Sequence, residues 1–196
     1  MLRGIDAKLS RAKLENVPVR IERSSVENAK GWLDGYVADF SEKLILIEVI
    51  GDHIRLDGWN ILRKKDITTL EVPNPRYEFY EEALRLQGDR RGKLPRLQLD
   101  NVRTALETVN AASPLVVVHQ ELIDPDVCEI GRILEFNTRS FVMQTMGLHA
   151  EFHEEVDTFN YSDVTRIDFG GGYENALALV AGLTKPSSST KSKRRK

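Results

Sequence analysis

The chain states one pattern twice. Gly35 and Gly131 stand 96 positions apart, and at the same spacing Pro18 meets Pro114, Phe40 meets Phe136, Gly51 meets Gly147 and His53 meets His149. Conservative pairs fill the intervals, among them Val37 with Ile133, Asp39 with Glu135 and Lys43 with Arg139. The second copy then gains one residue, so Asp66, Ile67, Thr68 and Leu70 meet Asp163, Val164, Thr165 and Ile167. A connector follows, PNPRYEF in the first copy and GGG in the second, before Tyr80, Ala83, Leu84 and Leu86 meet Tyr173, Ala176, Leu177 and Leu179. Proline and glycine both turn a chain, so the length differences fall where loops belong. Whatever one copy folds into, the other must fold into as well.

Each copy reads as strands followed by a helix. In PVRIER, Val19 and Ile21 alternate with Arg20 and Glu22, the period of two of a strand with one wet face. GWLDGYVADF and KLILIEVI follow, separated by a turn at Ser41 and Glu42, and then HIRLDGWNILRK and DITTLEV. Tyr173, Ala176, Leu177 and Val180 change the period to that of an amphipathic helix, which predicts a helix closing one end of the unit, and Tyr80, Ala83 and Leu84 repeat its start. A further helix precedes each copy, carried by Ile5, Leu9 and Ala12 and by Val102, Leu106 and Val109 after Asp100. The pattern predicts a mainly β protein with flanking helices: two tandem small five-stranded barrels, each with a preceding and a C-terminal helix. Residues 1–88 form the first unit, 89–98 a polar linker, 99–182 the second unit and 183–196 a disordered basic tail.

The offset of 96 carries Arg20 and Glu22 onto Val116 and Val118. The strand LVVVH is then apolar on both faces, and the face that was wet must be covered. Val116 and Val118 are therefore expected at an interface with the other copy or with a linking helix.

Charge and cysteine content bound the setting. The net charge of −2 is uneven: six of the 28 basic residues lie in KPSSSTKSKRRK, which has no acid, so the body is acidic. The N-terminal residues carry no apolar run of the kind a signal peptide needs, and the apolar runs are strand-length, which predicts no membrane span. A single cysteine, Cys128, cannot form an internal disulfide and suits a reducing cytoplasm. Cys128 itself reads as a spectator, because no partnered histidine is patterned with it.

A helix followed by five strongly bent strands resembles the Sm-like fold, including its bacterial Hfq branch. GYVADFSEKLILIEVI and GRILEFNTRSFVMQTM are similar to the first Sm motif, and LRKKDITTLEVP and FNYSDVTRIDF to the second. The resemblance implies small barrels and an RNA-binding alternative for function. RNA-binding Sm proteins place Asp and Asn at the turn after the second strand and Arg-Gly near the fifth. Here those turns read Ser41, Glu42, Lys43 and Asn137, Thr138, Arg139, and neither copy has the Arg-Gly. Only the first copy keeps a basic second turn, Arg63, Lys64 and Lys65, against Asn160, Tyr161 and Ser162. The extra C-terminal helix departs from the minimal Sm fold, and a generic SH3-like small barrel stays open as the alternative.

Other features have plainer readings. His149, Glu151 and His153 share a strand face and the donor types that hold zinc, but no fourth ligand is evident, so an exposed polar edge is expected. Gly170 to Gly172 are followed by no Lys-Ser or Lys-Thr and read as a turn. Trp32 and Trp59 read as core or rim residues over stacking platforms. With no triad, metal cluster or cofactor loop patterned, the expectation is a non-enzymatic binding or assembly module acting through protein–protein contacts, with a partner protein or by self-association, and with no cofactor. The alternative is an RNA-binding regulator using Arg63, Lys64, Lys65, the linker cations Arg90, Arg91, Lys93 and Arg96, and the tail.

Overall fold

The structure, a computed structural model, describes residues 2–24, 26 and 32–183; the basic tail expected from 183 onward lies outside the described residues apart from Leu183. In chain order the elements are α1 (Leu2–Glu15), β1 (Pro18–Glu22), β2 (Trp32–Phe40), β3 (Leu44–Ile50), β4 (Leu56–Arg63), a short 3-10 turn (Lys64–Asp66), β5 (Thr69–Glu71) and α2 (Tyr77–Gln87). The second copy supplies α3 (Val102–Ala112), β6 (Val116–His119), β7 (Cys128–Phe136), β8 (Ser140–Thr145), β9 (Asp157–Asn160), β10 (Arg166–Phe169) and α4 (Gly172–Val180). No helix of the described residues is long and apolar enough to cross a membrane.

The expectation of two closed small barrels is overturned. All ten strands form one open antiparallel sheet in the order β5-β1-β2-β3-β4-β10-β6-β7-β8-β9. Closing a copy on itself would leave its fourth strand to its own fifth. Instead β4 of the first copy takes β10 of the second, with Ile61 opposite Ile167 and Asn60 opposite Asp168. The free ends are β5 and β9. Within the sheet the duplication survives strand for strand, because β5-β1-β2-β3-β4 and β10-β6-β7-β8-β9 are the same order.

The register explains the paired glycines. Gly35 faces Val49 and the β2–β3 ladder slips between Val37 and Asp39, while Gly131 faces Thr145 and β7–β8 slips between Ile133 and Glu135. A Cβ on Gly35 would collide with the Glu48 carbonyl, and one on Gly131 with that of Gln144. Such close backbone approach beside a bulge is what removes the side chain at both sites.

One alignment step needs correcting. Val116, not Leu115, faces Gly131, whereas Val19 faces Gly35. The second copy is therefore one residue shorter between β6 and β7, and Val116 and Val118 stand where Val19 and Ile21 stand, on the core face. Both share a cluster with Ala105, Leu106 and Val109 of α3 and with Leu44, Leu46 and Ile61 of the first copy. Ile45, Ile47 and Leu62 belong to a second cluster with Leu9 and Ala12 of α1. Strands β3 and β4 are thus covered on both faces, and the second unit's core is built partly on the back of the first.

The terminal helices differ in a way the repeat hides. Leu177 and Ala178 are buried, but Tyr173 is 56% and Val180 75% exposed, so the expected stripe of Tyr173, Ala176, Leu177 and Val180 does not pack as a unit. In α2 the equivalent Tyr80 is buried and donates its hydroxyl to Asp34, which also accepts from Arg20 and Asn74. The second copy has Ile130 in the place of Asp34, so nothing there holds Tyr173 down.

Candidate functional site

The joint between the copies carries the densest buried polar chemistry. On β10, Asp168 accepts from Asn60 of β4, from both ends of the Arg166 guanidinium, and pairs with His119 Nε2 at 2.9 Å. Burial would push this carboxyl up, but its bonds with His119 and Arg166 outweigh that and hold it below the usual range. Beside it, Arg23 after β1 reaches across to Glu121 after β6 with two bonds, Nη1 to Oε2 at 2.7 Å and Nη2 to Oε1 at 2.6 Å. Thr165 donates its hydroxyl to the same carboxylate at 2.6 Å. Burial again opposes ionisation of Glu121, and Arg23 and Thr165 override it.

The outer edges repeat the two halves of this joint, without a partner strand among the described residues. β9 is equivalent to β4: Asp157 faces Met143 as Asn60 faces Ile47, which makes Thr158 the counterpart of Ile61. β5 is equivalent to β10, with Leu70 and Glu71 standing for Ile167 and Asp168. The edges are not equally open. Lys8 of α1 donates to the Leu70 carbonyl at 2.9 Å, a cationic cap of the kind that blunts an edge strand. β9 is mostly exposed and follows exposed Glu151, Glu154 and Glu155.

Two cavities flank the joint. One, of about 590 Å³, is lined by Glu42, Lys43, Leu44, Arg63 and Lys65 of the first copy and by Asn101, Val102, Arg103, Thr138, Tyr161 and Ser162 of the second. The other, of about 670 Å³, is lined in part by His119, Cys128, Arg166, Asp168 and Glu174. His119 and Cys128 face each other across β6 and β7, yet no hydrogen bond joins them among the described residues. Burial and the nearby Asp168 push the Cys128 thiol up, the opposite of what activates a nucleophile. Burial, with Asp168 and Asp57 nearby, also pushes the Glu174 carboxyl up, so this cavity gathers protonatable groups without an aligned nucleophile and base.

Of the cations expected to bind RNA, Arg63 and Lys65 line the first cavity, while Lys64 and Arg91 are engaged elsewhere. Lys64 is 2% exposed, its ammonium bonded to Asp6 and to the Ser41 carbonyl. Arg91 bonds Glu48 and Asn16 and lies over the Tyr36 ring, which fastens the linker to the first copy. Asp6 and Asn16 mark opposite parts of the α1 region, about 15 Å apart at the helical rise of ~1.5 Å per residue. Arg63 is buried against Asp66, while Lys65, Arg90, Lys93 and Arg96 are exposed. His153 bonds Thr145 through Nδ1, and among the described residues no group of three or more His, Cys, Asp or Glu is arranged to hold a metal ion. Trp59 is half-buried against the shared core, and Trp32 is exposed with Arg20 over its ring.

Arg23, Glu121, His119 and Asp168 were not singled out from the sequence. Glu121 lies in a loop of irregular composition, and nothing in its neighbours signals a partner 98 residues away. Asp168 sits near a strand end with no local feature that sets it apart from an exposed acid. No protein-family model, curated protein or solved structure matches the chain.

Proposed function

We propose that this protein is a non-enzymatic binding module that takes up a partner protein by strand addition at its sheet edge. The observation that carries the reading is the joint itself. The chain already uses one β4–β10 ladder to fasten two units, and among the described residues the counterpart of β4, the strand β9, has no neighbour on its outer side. Backbone pairing supplies affinity in such docking and side chains on alternate positions supply selectivity.

The occupant of β9 is a strand with basic residues from a different chain. A second copy arriving with the internal register would set Thr158 opposite Leu70 and Asp157 opposite Glu71, where the internal joint sets Asn60 opposite Asp168. Like charges directly opposite one another destabilise a ladder, and Lys8 already occupies the Leu70 carbonyl. With Glu154, Glu155 and Asp157 along it, the edge favours lysine or arginine on the incoming strand.

Hydrogen exchange on the full chain tests this with strand-forming peptides that alternate valine with lysine, or valine with glutamate. The lysine peptide is expected to protect residues 157–160 and the glutamate peptide to leave them unchanged. Protection by both peptides alike, or by the lysine peptide only elsewhere on the molecule, would remove the reading. Light scattering supplies the second arm: the full chain is expected to be monomeric, and Glu71→Lys to introduce concentration-dependent association. If Glu71→Lys stays monomeric at every concentration, the internal joint is not a template for the edges.

A further inference from the structure

The cavity between the two turns of the first copy and the start of α3 holds more hydrogen-bond donors than the protein itself satisfies. Arg63 lines it and is 7% exposed. Its Nε donates to Asp66 and its Nη1 to the Ser162 carbonyl at 3.2 Å. Its Nη2 is shielded from solvent and has no hydrogen-bond partner among the described residues. Buried polar groups in folded proteins are nearly always satisfied, and a charged donor left unmet is the more costly kind. The Arg63 guanidinium therefore contributes its positive charge to the cavity wall, with its unmet nitrogen closed to solvent as the cavity stands.

The first turn of α3 meets the same cavity through Asn101, Val102 and Arg103. Helix geometry leaves the leading amides without acceptors inside the helix. The capping box uses two of them: the Thr104 amide donates to Asn101 Oδ1, and the Asn101 amide to Thr104 Oγ1. Those of Val102 and Arg103 remain outside the helical ladder, at the end where the aligned peptide dipoles place about half a positive charge. This helix has 11 residues, long enough for that field to develop.

Charge and shape narrow the ligand. Around the cavity Lys43, Arg63, Lys65 and Arg103 stand against Glu42 and, behind the wall, Asp66 and Glu107, which pair with Arg63 and Arg103. The excess is one positive charge, with Lys43 and Lys65 in no salt bridge among the described residues. Leu44, Val102 and Tyr161 add apolar wall. The volume of about 590 Å³ lies in the range of small-molecule sites, roughly 300–1,000 Å³.

We infer that this cavity binds a small organic anion, a carboxylate or a phosphate ester carried on an apolar, ring-sized body. The first turn of α3 takes the anionic group in the field of Arg63, Lys43 and Lys65, and Leu44, Val102 and Tyr161 hold the body. The site borders β9 only through Tyr161 and Ser162, which follow the strand, so shifts in the cavity and protection of residues 157–160 are read apart and either reading can fail without the other.

The test is a titration of the ¹⁵N-labelled full chain with benzoate, with phenyl phosphate and with benzyl alcohol as the neutral analogue. Saturable shifts are expected at Lys43, Lys65, Val102, Arg103 and Tyr161 with one or both anions, and the tighter of the two identifies the anionic group. Benzyl alcohol should bind at least about tenfold more weakly, the loss of one charge-assisted contact. Lys65→Glu, an exposed change outside the core, should weaken the anions by about tenfold while the rest of the spectrum keeps its positions. Equal binding of benzyl alcohol, an unchanged affinity in Lys65→Glu, or no saturable shift from either anion would overturn the inference. So would an RNA oligonucleotide that shifts these residues when neither small anion does.

Discussion

Replacing Arg23 by alanine should cost this protein about 3 kcal/mol at neutral pH, and most of that cost should disappear in acid. The side chains of Arg23 and Glu121 are only 7% and 8% exposed. Removing one partner of a buried pair typically costs about 3–5 kcal/mol, because the other charge is left in a poor solvent. Glu121 would keep its bond from the Thr165 hydroxyl, which argues for the lower end. In the intact protein the Glu121 carboxyl sits below its ordinary value: burial raises it, and Arg23 and Thr165 more than reverse that. A carboxylate with a depressed folded pKa stabilises the fold above its unfolded value, about 4.3, and loses that contribution as pH falls through the folded one. In Arg23→Ala the burial, the hydroxyl and the weaker pull of the Arg166 charge remain, so the carboxyl moves up from its place in the intact protein, and protonation then relieves the variant rather than harming it. The gap between the two proteins should therefore narrow from about 3 kcal/mol at pH 7 to under about 1 kcal/mol near pH 3. Urea unfolding followed by tryptophan fluorescence measures both, since Trp59 packs against the shared core. A loss below about 1 kcal/mol at pH 7, or a gap that does not change with pH, would refute the claim that this pair is a desolvated link between the copies.

Gly131→Ala should destabilise the fold by about 1–3 kcal/mol, because the new Cβ meets the Gln144 backbone rather than a movable side chain; thermal unfolding would show it, and Gly35→Ala should behave alike. Cys128 should react with iodoacetamide more slowly than a free cysteine at pH 7 despite its exposure, with a rate that keeps climbing above the range where an ordinary thiol has finished ionising.

The shared register of the two copies was legible because Gly35 and Gly131 answer a backbone constraint, and a constraint of that kind leaves the same residue wherever it recurs. The helices α1 and α3 were legible from their apolar spacing. The slip at β6 was not. Leu115 to Val118 are all buried, so either parity of the strand offers an apolar face, and only the partner strand decides which. The same holds for Leu44 to Ile47, whose unbroken apolar run was the available sign that β3 is covered on both faces. At the candidate site, Arg63 and Lys65 were visible as charge, but nothing local separates a lysine such as Lys64, folded under Phe40 and onto Asp6, from its exposed neighbour.

The sequence alone determined the unit: its helices, its five strands, their order and the turns between them, all set by side-chain periodicity and by residues with special backbone freedom. It could not determine what each unit does with its fourth strand. An unpaired edge is a row of backbone amides and carbonyls that looks the same in every sequence, so closing on itself and pairing with a neighbour leave similar local patterns. The tertiary structure decided for the neighbour, because that choice buries Ile61 against Ile167, lets Arg23 reach Glu121, and draws the turns of both copies around one cavity.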